Sequence, residues 1–95
     1  NKVESLPEQL RHIFFDMCVN QGKSRGVKIL QRAANAKGKN LKVDGGLGPK
    51  TIAAMDGVEL QRVRAYRIKY YADLVTRKPD LEKFYYGWFR RGLEV

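Results

Sequence analysis

The segment VDGGLGPKT, residues 43–51, constrains the fold more than any other part of the chain. Gly48 followed by Pro49 predicts a helix start, because proline lacks the N–H that would have no partner in a first helical turn. Upstream of this pair, Asp44 can accept hydrogen bonds from nearby backbone amides, and Gly45 permits a positive φ. We therefore expect a rigid turn that begins a helix. Five residues carry this architecture: Asp44, Gly45, Gly48, Pro49 and Thr51.

The same segment has the composition of a phosphate-binding loop, but its spacing argues against a nucleotide. A P-loop places Gly-Lys-Ser or Gly-Lys-Thr at the head of a helix after a buried strand, whereas Pro49 stands directly before Lys50 and no strand pattern precedes it. A calcium loop needs oxygen ligands at alternate positions, and Asp44 is followed by Gly, Gly and Leu. His12 and Cys18 are the only histidine and cysteine, too few for an ordinary zinc site. We expect no nucleotide, no metal and no cofactor.

Outside this segment, apolar residues recur at helical spacing, and no part of the chain shows the sustained alternation typical of a strand. The sequence SLPE predicts a capping box in which Ser5 and Glu8 begin a first helix. Gly22 is the expected end of that helix, because glycine readily adopts the positive φ of a helix stop. Ser24 is the expected cap of a second helix.

A Gly/Pro-rich loop over residues 37–48 is predicted to precede the short third helix. The apolar spacing then predicts a longer helix at residues 58–77, and Pro79 opens a last helix. These assignments give an all-α protein of about five helices. Residues 1–95 are expected to form a single domain, because a chain of this length supports one modest core.

The charge of the chain indicates an anionic partner. Nineteen Lys and Arg oppose ten Asp and Glu, which gives a formal charge of +9. Nucleic acid, acidic lipid and a polymer that carries carboxylates all fit this excess, although a charged helix face is most often simply solvated. The longest apolar run is too short to cross a bilayer, so we expect no membrane insertion. The opening NKVESLPEQL shows no basic-then-apolar leader, and the chain is expected to be a fragment of a longer protein.

Three stretches resemble a known family when taken in order: FFDMCVNQGKSRGVKILQRAA, LQRAANAKGKNLKVDGGLGPKTIAAM and FYYGWFRRGLE. Together they resemble the C-terminal, predicted peptidoglycan-binding domain of glycoside hydrolase family 108 muramidases, which include phage endolysins, and the resemblance runs from about Phe15 to Leu93. It implies a non-catalytic domain that binds peptidoglycan and targets a muramidase to its substrate. The family's catalytic Glu lies in an N-terminal Glu-Gly-Gly-type segment that is absent here. The expected location is the cell wall, the periplasm or the extracellular space after export.

The candidate binding residues are amides, aromatic rings and cations. Asn20 and Gln21 end the first helix, where an amide offers a donor and an acceptor to a sugar N-acetyl group or a peptide bond. The simpler alternative for Asn20 is that it caps the helix end. Exposed rings suit sugar rings, and neighbouring arginines suit the carboxylates of stem peptides. The full set of candidates is Asn20, Gln21, Lys50, Tyr70, Tyr71, Tyr85, Tyr86, Trp88, Arg90 and Arg91. Either the glycan strand or the stem peptide can be the ligand.

The purely structural alternative is that the aromatic residues form part of the core and that the basic residues around them are simply solvated. In the last helix, Phe84 and Trp88 share one face, and Tyr85 and Phe89 share another, so one pair is expected in the core and the other partly exposed. Asp16 is the only acid within an apolar run. We expect its carboxylate to be structural, hydrogen-bonded to the backbone or to Asn20, rather than catalytic.

Three other functions are compatible with parts of the sequence. In the intact enzyme, the segment around Asp16 and Asn20 could form one wall of the catalytic cleft. The alternative from a different class is a small basic helical DNA-binding domain whose recognition helix lies in QRVRAYRIKYYADL. Tyr66, Tyr70 and Tyr71 argue against it, because recognition helices usually carry Arg, Asn, Gln or Ser at such positions. A membrane-surface domain is the weakest candidate, since a fold this small needs its apolar faces for its core.

Overall fold

The protein is all-α, as predicted. The structure, a computed structural model, describes residues 2–94, with side chains described for residues 4–91 and 93. This part of the chain contains two short 3₁₀ turns, at Lys2–Ser5 and Pro79–Leu81, and no strand. Five α-helices make up the rest of the regular structure: α1 at Glu8–Gln21, α2 at Lys23–Ala36, α3 at Pro49–Ala54, α4 at Leu60–Arg77 and α5 at Glu82–Glu94.

The two predicted side-chain caps are wrong. Ser5 belongs to the 3₁₀ turn, and α1 begins only after Pro7, whose extended backbone supplies no side-chain cap. Proline has its φ fixed near the helical value, so it starts α1 without a Ser hydroxyl. Ser24 lies inside α2, because the single residue Gly22 ends α1 and also precedes the first residue of α2.

The boundaries of the last two helices differ from prediction by a few residues. Val58 is buried in the turn before α4, and the helix itself begins at Leu60. Pro79 opens a 3₁₀ turn, after which α5 begins at Glu82. No helix in residues 2–94 combines the length and the apolar character needed to span a bilayer.

The core lies between α1, α2, the loop before α3, α3 itself and the first half of α4. Helix α1 packs along α2, and α2 packs in turn on α4. Helix α5 packs on α4 and contributes no residue to this core. Burial of these side chains supplies the main stabilisation of the fold, at about 25 cal/mol for each Å² of apolar surface removed from water. The core residues are Leu6, Leu10, Ile13, Phe14, Met17, Val27, Ile29, Leu30, Ala33, Ala34, Leu47, Ala54, Met55, Val58 and Val63.

Gln31 organises the glycine-rich turn from inside α2. Its side chain is 1% exposed, and its Nε2 donates to Asp44 Oδ1 at 3.1 Å and to Thr51 Oγ1 at 3.1 Å. Its Nε2 also lies 3.2 Å from the carbonyl oxygen of Gly46, and its Oε1 accepts from the Gly45 N–H at 3.1 Å. The Gly46 N–H and then the Gln31 amide lower the pKa of the Asp44 carboxyl. One buried amide therefore joins α2, the turn and the start of α3.

Two further contacts hold the start of the loop. Asn35 pairs with the backbone of Leu41 twice, donating to its carbonyl at 2.9 Å and accepting from its N–H at 2.8 Å. Lys37 forms an ion pair with Glu59 at 2.9 Å, immediately before α4. Hydrogen bonds from Arg62 and then Lys37 lower the pKa of Glu59 to about 2. The start of the loop is thus fastened both to α2 and to the residue immediately before α4.

We predict that Gly45→Ser lowers the free energy of unfolding by about 1–3 kcal/mol, since a side chain is strained at positive φ. Gly45 has a φ of 79°, and a Cβ there would lie 2.4 Å from Ser24 Oγ and 3.1 Å from the Ser24 carbonyl oxygen. Gly48→Ser is the matched control, because Gly48 has a φ of −96° and open space around its Cβ position. Urea denaturation of both variants measures the difference. Equal stability of the two would show that the turn does not require a glycine at residue 45.

Candidate functional site

A groove opens where the end of α1 and the start of α2 meet the second half of α4 and α5. It has a volume of about 230 Å³. We call it the Gln21 groove, because Gln21 lines it from the end of α1. Its lining residues are Asn20, Gln21, Arg25, Tyr70, Tyr71, Leu74, Trp88 and Arg91. The structure thus brings together six of the residues predicted from the sequence, and adds Arg25 and Leu74.

Gln21 is the chemically unusual residue of this groove. It is the last residue of α1, and Gly22 then turns the chain with a φ of 96°. The Gln21 side chain is 7% exposed, and neither its Oε1 nor its Nε2 has a hydrogen-bond partner among the described residues. Leaving a buried polar group unpaired costs about 1–3 kcal/mol, so proteins rarely do so without a reason. Each of the two amide atoms has less than 1 Å² of accessible surface, so the amide pairs with a group in the groove only if the side chain turns outward.

Asn20 differs from Gln21 although the two residues are adjacent. Its side chain is exposed, and its Nδ2 donates to the carbonyl oxygen of Asp16 at 2.8 Å. This bond closes the last turn of α1, as expected of a residue near a helix end. Asn20 therefore lines the groove at its rim, whereas Gln21 lies in its interior.

Stacked aromatic rings form another side of the groove. The Trp88 indole lies on the Tyr71 ring, with 5.0 Å between centroids and 20° between planes. Tyr70 meets the edge of Tyr71 at 5.6 Å and 70°. Tyr71 is 4% exposed, so its ring supports Trp88 from beneath and offers little face of its own. The rings that remain partly accessible in the groove are those of Trp88 and Tyr70.

The expectation that one aromatic pair of α5 enters the core is wrong. Both pairs do share a face, with Phe84 and Trp88 at 5.9 Å and Tyr85 and Phe89 at 6.2 Å. Neither pair is buried, and Phe84 is 49% exposed. The reason is that α5 packs on α4, outside the core that α1, α2 and α3 build.

Asp16 fixes the position of α5 relative to α1. Arg67 of α4 donates from Nη2 to Asp16 Oδ2, and Arg91 of α5 donates from Nε to Oδ2 at 3.1 Å and from Nη2 to Oδ1 at 2.6 Å. The sequence correctly suggested a structural carboxylate, but it gave the wrong partners. Asn20 reaches only the backbone oxygen of Asp16, and the carboxylate itself binds two arginines.

This arrangement keeps Asp16 ionised. Burial raises the pKa of the carboxyl, but hydrogen bonds from Arg91 and Arg67 and their positive charges together lower it below its ordinary value of 3.8. A general acid for glycoside hydrolysis needs the opposite, a raised pKa. Arg67 is fully buried, and its Nε and Nη1 have no partner among the described residues. Asp16 is therefore the counter-ion of a buried cation.

The remaining predicted residues do not line the Gln21 groove. Lys50 is exposed at the start of α3. Tyr86 is 70% exposed on α5, and the guanidinium of Arg90 lies 5.8 Å from its ring centroid. Tyr85 is partly buried against Phe89. The lining that contains the Gln21 amide and Trp88 thus does not include four of the candidates: Lys50, Tyr85, Tyr86 and Arg90.

A second, larger groove of about 700 Å³ runs between α2 and α4. We call it the basic groove. The sequence showed that both helices are cationic, but it gave no reason to combine them into one site, because their spacing in the chain does not reveal that they are neighbours. Its lining residues are Arg25, Lys28, Arg32, Tyr66, Lys69, Tyr70, Asp73, Leu74, Thr76, Arg77 and Lys78.

The chain matches a known protein family. A family model described as a predicted peptidoglycan domain matches residues 25–93, which include nearly all of α2 to α5. The chain belongs to this family. No curated protein and no solved structure matches it. Membership indicates peptidoglycan as the partner of the domain and the cell wall as its place of action.

The range matched by the family model includes most, but not all, of the residues that line the Gln21 groove. Asn20 and Gln21 precede the matched range, which begins at Arg25. The aromatic side of the groove and Arg91 lie within it. Asp16 also precedes the range, and its two arginine partners follow within it.

We predict that Asp16→Asn lowers the free energy of unfolding at neutral pH by about 3 kcal/mol, because it leaves the buried Arg67 without a counter-charge. The pKa of Asp16 is lowered in the fold, so its contribution to stability is fully present above the ordinary, unfolded-state pKa and is lost as pH falls through the lower folded value. The difference in stability between the two proteins should therefore begin to shrink below about pH 4 and disappear below the folded pKa of Asp16. Chemical denaturation at several pH values measures this.

Asp73→Asn is the matched control for that measurement. Asp73 pairs with Lys69 at 3.5 Å, but both side chains are more than half exposed. Exposed pairs contribute about 0–1 kcal/mol, so this variant should remain close to the parent protein. A loss for Asp16→Asn as small as that of Asp73→Asn would contradict the role given to Asp16.

Proposed function

We propose that this peptidoglycan domain binds the bacterial cell wall through the Gln21 groove and thereby holds a muramidase on its insoluble substrate. The observation that carries the proposal is the unpaired amide of Gln21, buried beside the accessible edge of the Trp88 stack. Family membership supports the partner, and the groove geometry supports the place of contact.

The chemistry of the groove suits peptidoglycan in two ways. An amide side chain offers one acceptor and one donor, which is the complement of an N-acetyl group or a peptide bond. Peptidoglycan carries both. An aromatic ring packs against the C–H groups of a sugar, and such contact is available at Trp88 and Tyr70. The site therefore combines one amide that can form hydrogen bonds with aromatic surface that can pack on a sugar, as small-ligand sites commonly do.

The packing of α4 argues against the DNA-binding alternative. A recognition helix must enter the major groove with several side chains free to reach base edges. Helix α4 instead lies between α2 and α5. Tyr71 is buried, and Tyr66 and Tyr70 pack against the core, so these side chains stabilise the fold. Several side chains of α4 line the basic groove instead.

Targeting explains why a domain of this kind benefits an enzyme. Weak binding to a polymer with many repeated sites raises the effective concentration of a tethered catalytic domain, without any new contact at the scissile bond. The resemblance to glycoside hydrolase family 108 suggests that the catalytic partner is a muramidase with a Glu-Gly-Gly-type segment. The proposed role of the present chain, residues 1–95, is to bind the wall and not to cleave it.

We predict that Gln21→Met weakens binding to purified sacculi by about thirtyfold, which corresponds to the loss of two hydrogen bonds of about 1 kcal/mol each. The substitution removes the unpaired polar atoms and conserves volume, so the fold should be as stable as before or more stable. Co-sedimentation at several protein concentrations measures binding, and thermal unfolding measures stability.

Gln9→Met controls for the change of side chain, because Gln9 is exposed on α1 and lies outside the groove. It should leave sedimentation unchanged. Recovery of the parent protein wholly in the supernatant at low salt would contradict wall binding. Equal binding by Gln21→Met and the parent would contradict the assignment of the groove, although it would leave wall binding intact.

We predict a second consequence for a muramidase that carries this domain. Gln21→Met should lower its rate on insoluble sacculi at low enzyme concentration and leave its rate on soluble glycan fragments unchanged, because effective concentration matters only on the polymer. Turnover on both substrates measures the effect. A comparable loss on soluble fragments, with Asn20→Ala behaving in the same way, would instead indicate that this segment forms a wall of the catalytic cleft.

A further inference from the structure

The basic groove concentrates positive charge that the fold does not need. Six cationic side chains line it, from both α2 and α4, and the one carboxylate among its lining residues is Asp73. Most of the six are exposed, and the core is built by other residues of these helices. The six cations are Arg25, Lys28, Arg32, Lys69, Arg77 and Lys78.

The carboxylate neutralises little of this charge. Asp73 forms an exposed ion pair with Lys69 at 3.5 Å, one helical turn away on α4. Arg77 reaches only the backbone oxygen of Asp73, at 3.5 Å. Like charges that line one groove repel each other and oppose compact folding. An anion bound between α2 and α4 would relieve that repulsion.

The two grooves are continuous. Arg25, Tyr70 and Leu74 line both of them, so a ligand that touches Gln21 in one extends into the other without leaving the surface. The floor of the basic groove contains the Tyr66 and Tyr70 side chains, which are partly buried. A single extended chain with an amide at one end and negative charges along its length therefore matches the whole surface.

We propose that the basic groove binds the carboxylates of the peptidoglycan stem peptide, while Gln21 pairs with the amide group that precedes them. The inference rests on the proposed function and specifies its ligand as peptide rather than bare glycan. Guanidinium groups of Arg25 and Arg32 suit carboxylates, because their planar donors match two oxygens at once. Wall phosphodiester polymers carry negative charge too, but on phosphate groups and not on the carboxylates of a peptide, so the two ligands can be removed separately.

The test compares sacculi in three chemical forms with the same protein. Extraction of phosphodiester polymers should leave binding unchanged, whereas conversion of the free carboxylates to amides should weaken it about tenfold or more at physiological salt. Loss of binding after phosphodiester extraction alone would assign the groove to phosphate and overturn the proposal.

A pair of double variants locates the effect on the protein. Arg32→Gln/Lys69→Gln removes two charges from the basic groove, and Lys39→Gln/Lys42→Gln removes two from the exposed loop before α3. The first should bind untreated sacculi about tenfold more weakly and show little further loss on amidated sacculi, because both changes remove the same contacts. The loop variant should follow the parent protein on both.

The possible outcomes distinguish failure of wall binding from failure of the basic groove as its site. Failure of the parent protein to bind any sacculi would reject the proposed function itself. Binding that is equally reduced in both double variants would reject only the basic groove, since general charge would then explain the effect. Tighter binding to duplex DNA than to sacculi, with log affinity falling linearly with log salt, would replace the peptide with nucleic acid.

Discussion

The geometry of the candidate site depends on one carboxylate. Asp16 of α1 binds both Arg67 of α4 and Arg91 of α5 and so joins the three helices. Because Arg67 is buried, its charge has to be neutralised from within the protein. The same carboxylate then holds Arg91, and with it Trp88 three residues earlier on α5, beside the end of α1. The Gln21 groove is the space that this three-helix junction leaves.

Stability and binding are in tension at the end of α1. The two arginines satisfy Asp16, yet five residues further on the Gln21 amide stays buried and unpaired. A sequence selected for stability alone would favour an apolar residue there, because an unpaired buried polar group costs free energy that packing does not return. Retention of such a group beside an aromatic stack is typical of a site that completes its hydrogen bonds with a ligand.

The sequence predicted the helices well because their signals are local. Apolar spacing, the Gly48-Pro49 pair and the stop at Gly22 each act over a few residues. The partners of Asp16 could not be predicted, since Arg67 and Arg91 lie 51 and 75 residues away in the chain. The same limit explains why α5 was expected to enter the core, and why Gln21 and Asn20 looked equivalent. Only the position of the end of α1 beside α4 and α5, where Gln21 is buried and Asn20 is exposed, distinguishes them.

The peripheral position of α5 has a consequence for the motions of the domain. Its main contacts are with α4 and the turn at Pro79–Leu81, together with the Trp88 stack and the Arg91 ion pair, and none of its described residues belongs to the central core. Segments with few buried apolar contacts open at a lower free energy than the globule as a whole. A ligand that contacts both Gln21 and Trp88 would therefore hold α5 against α1. Binding of the polymer and ordering of the last helix would then be thermodynamically coupled.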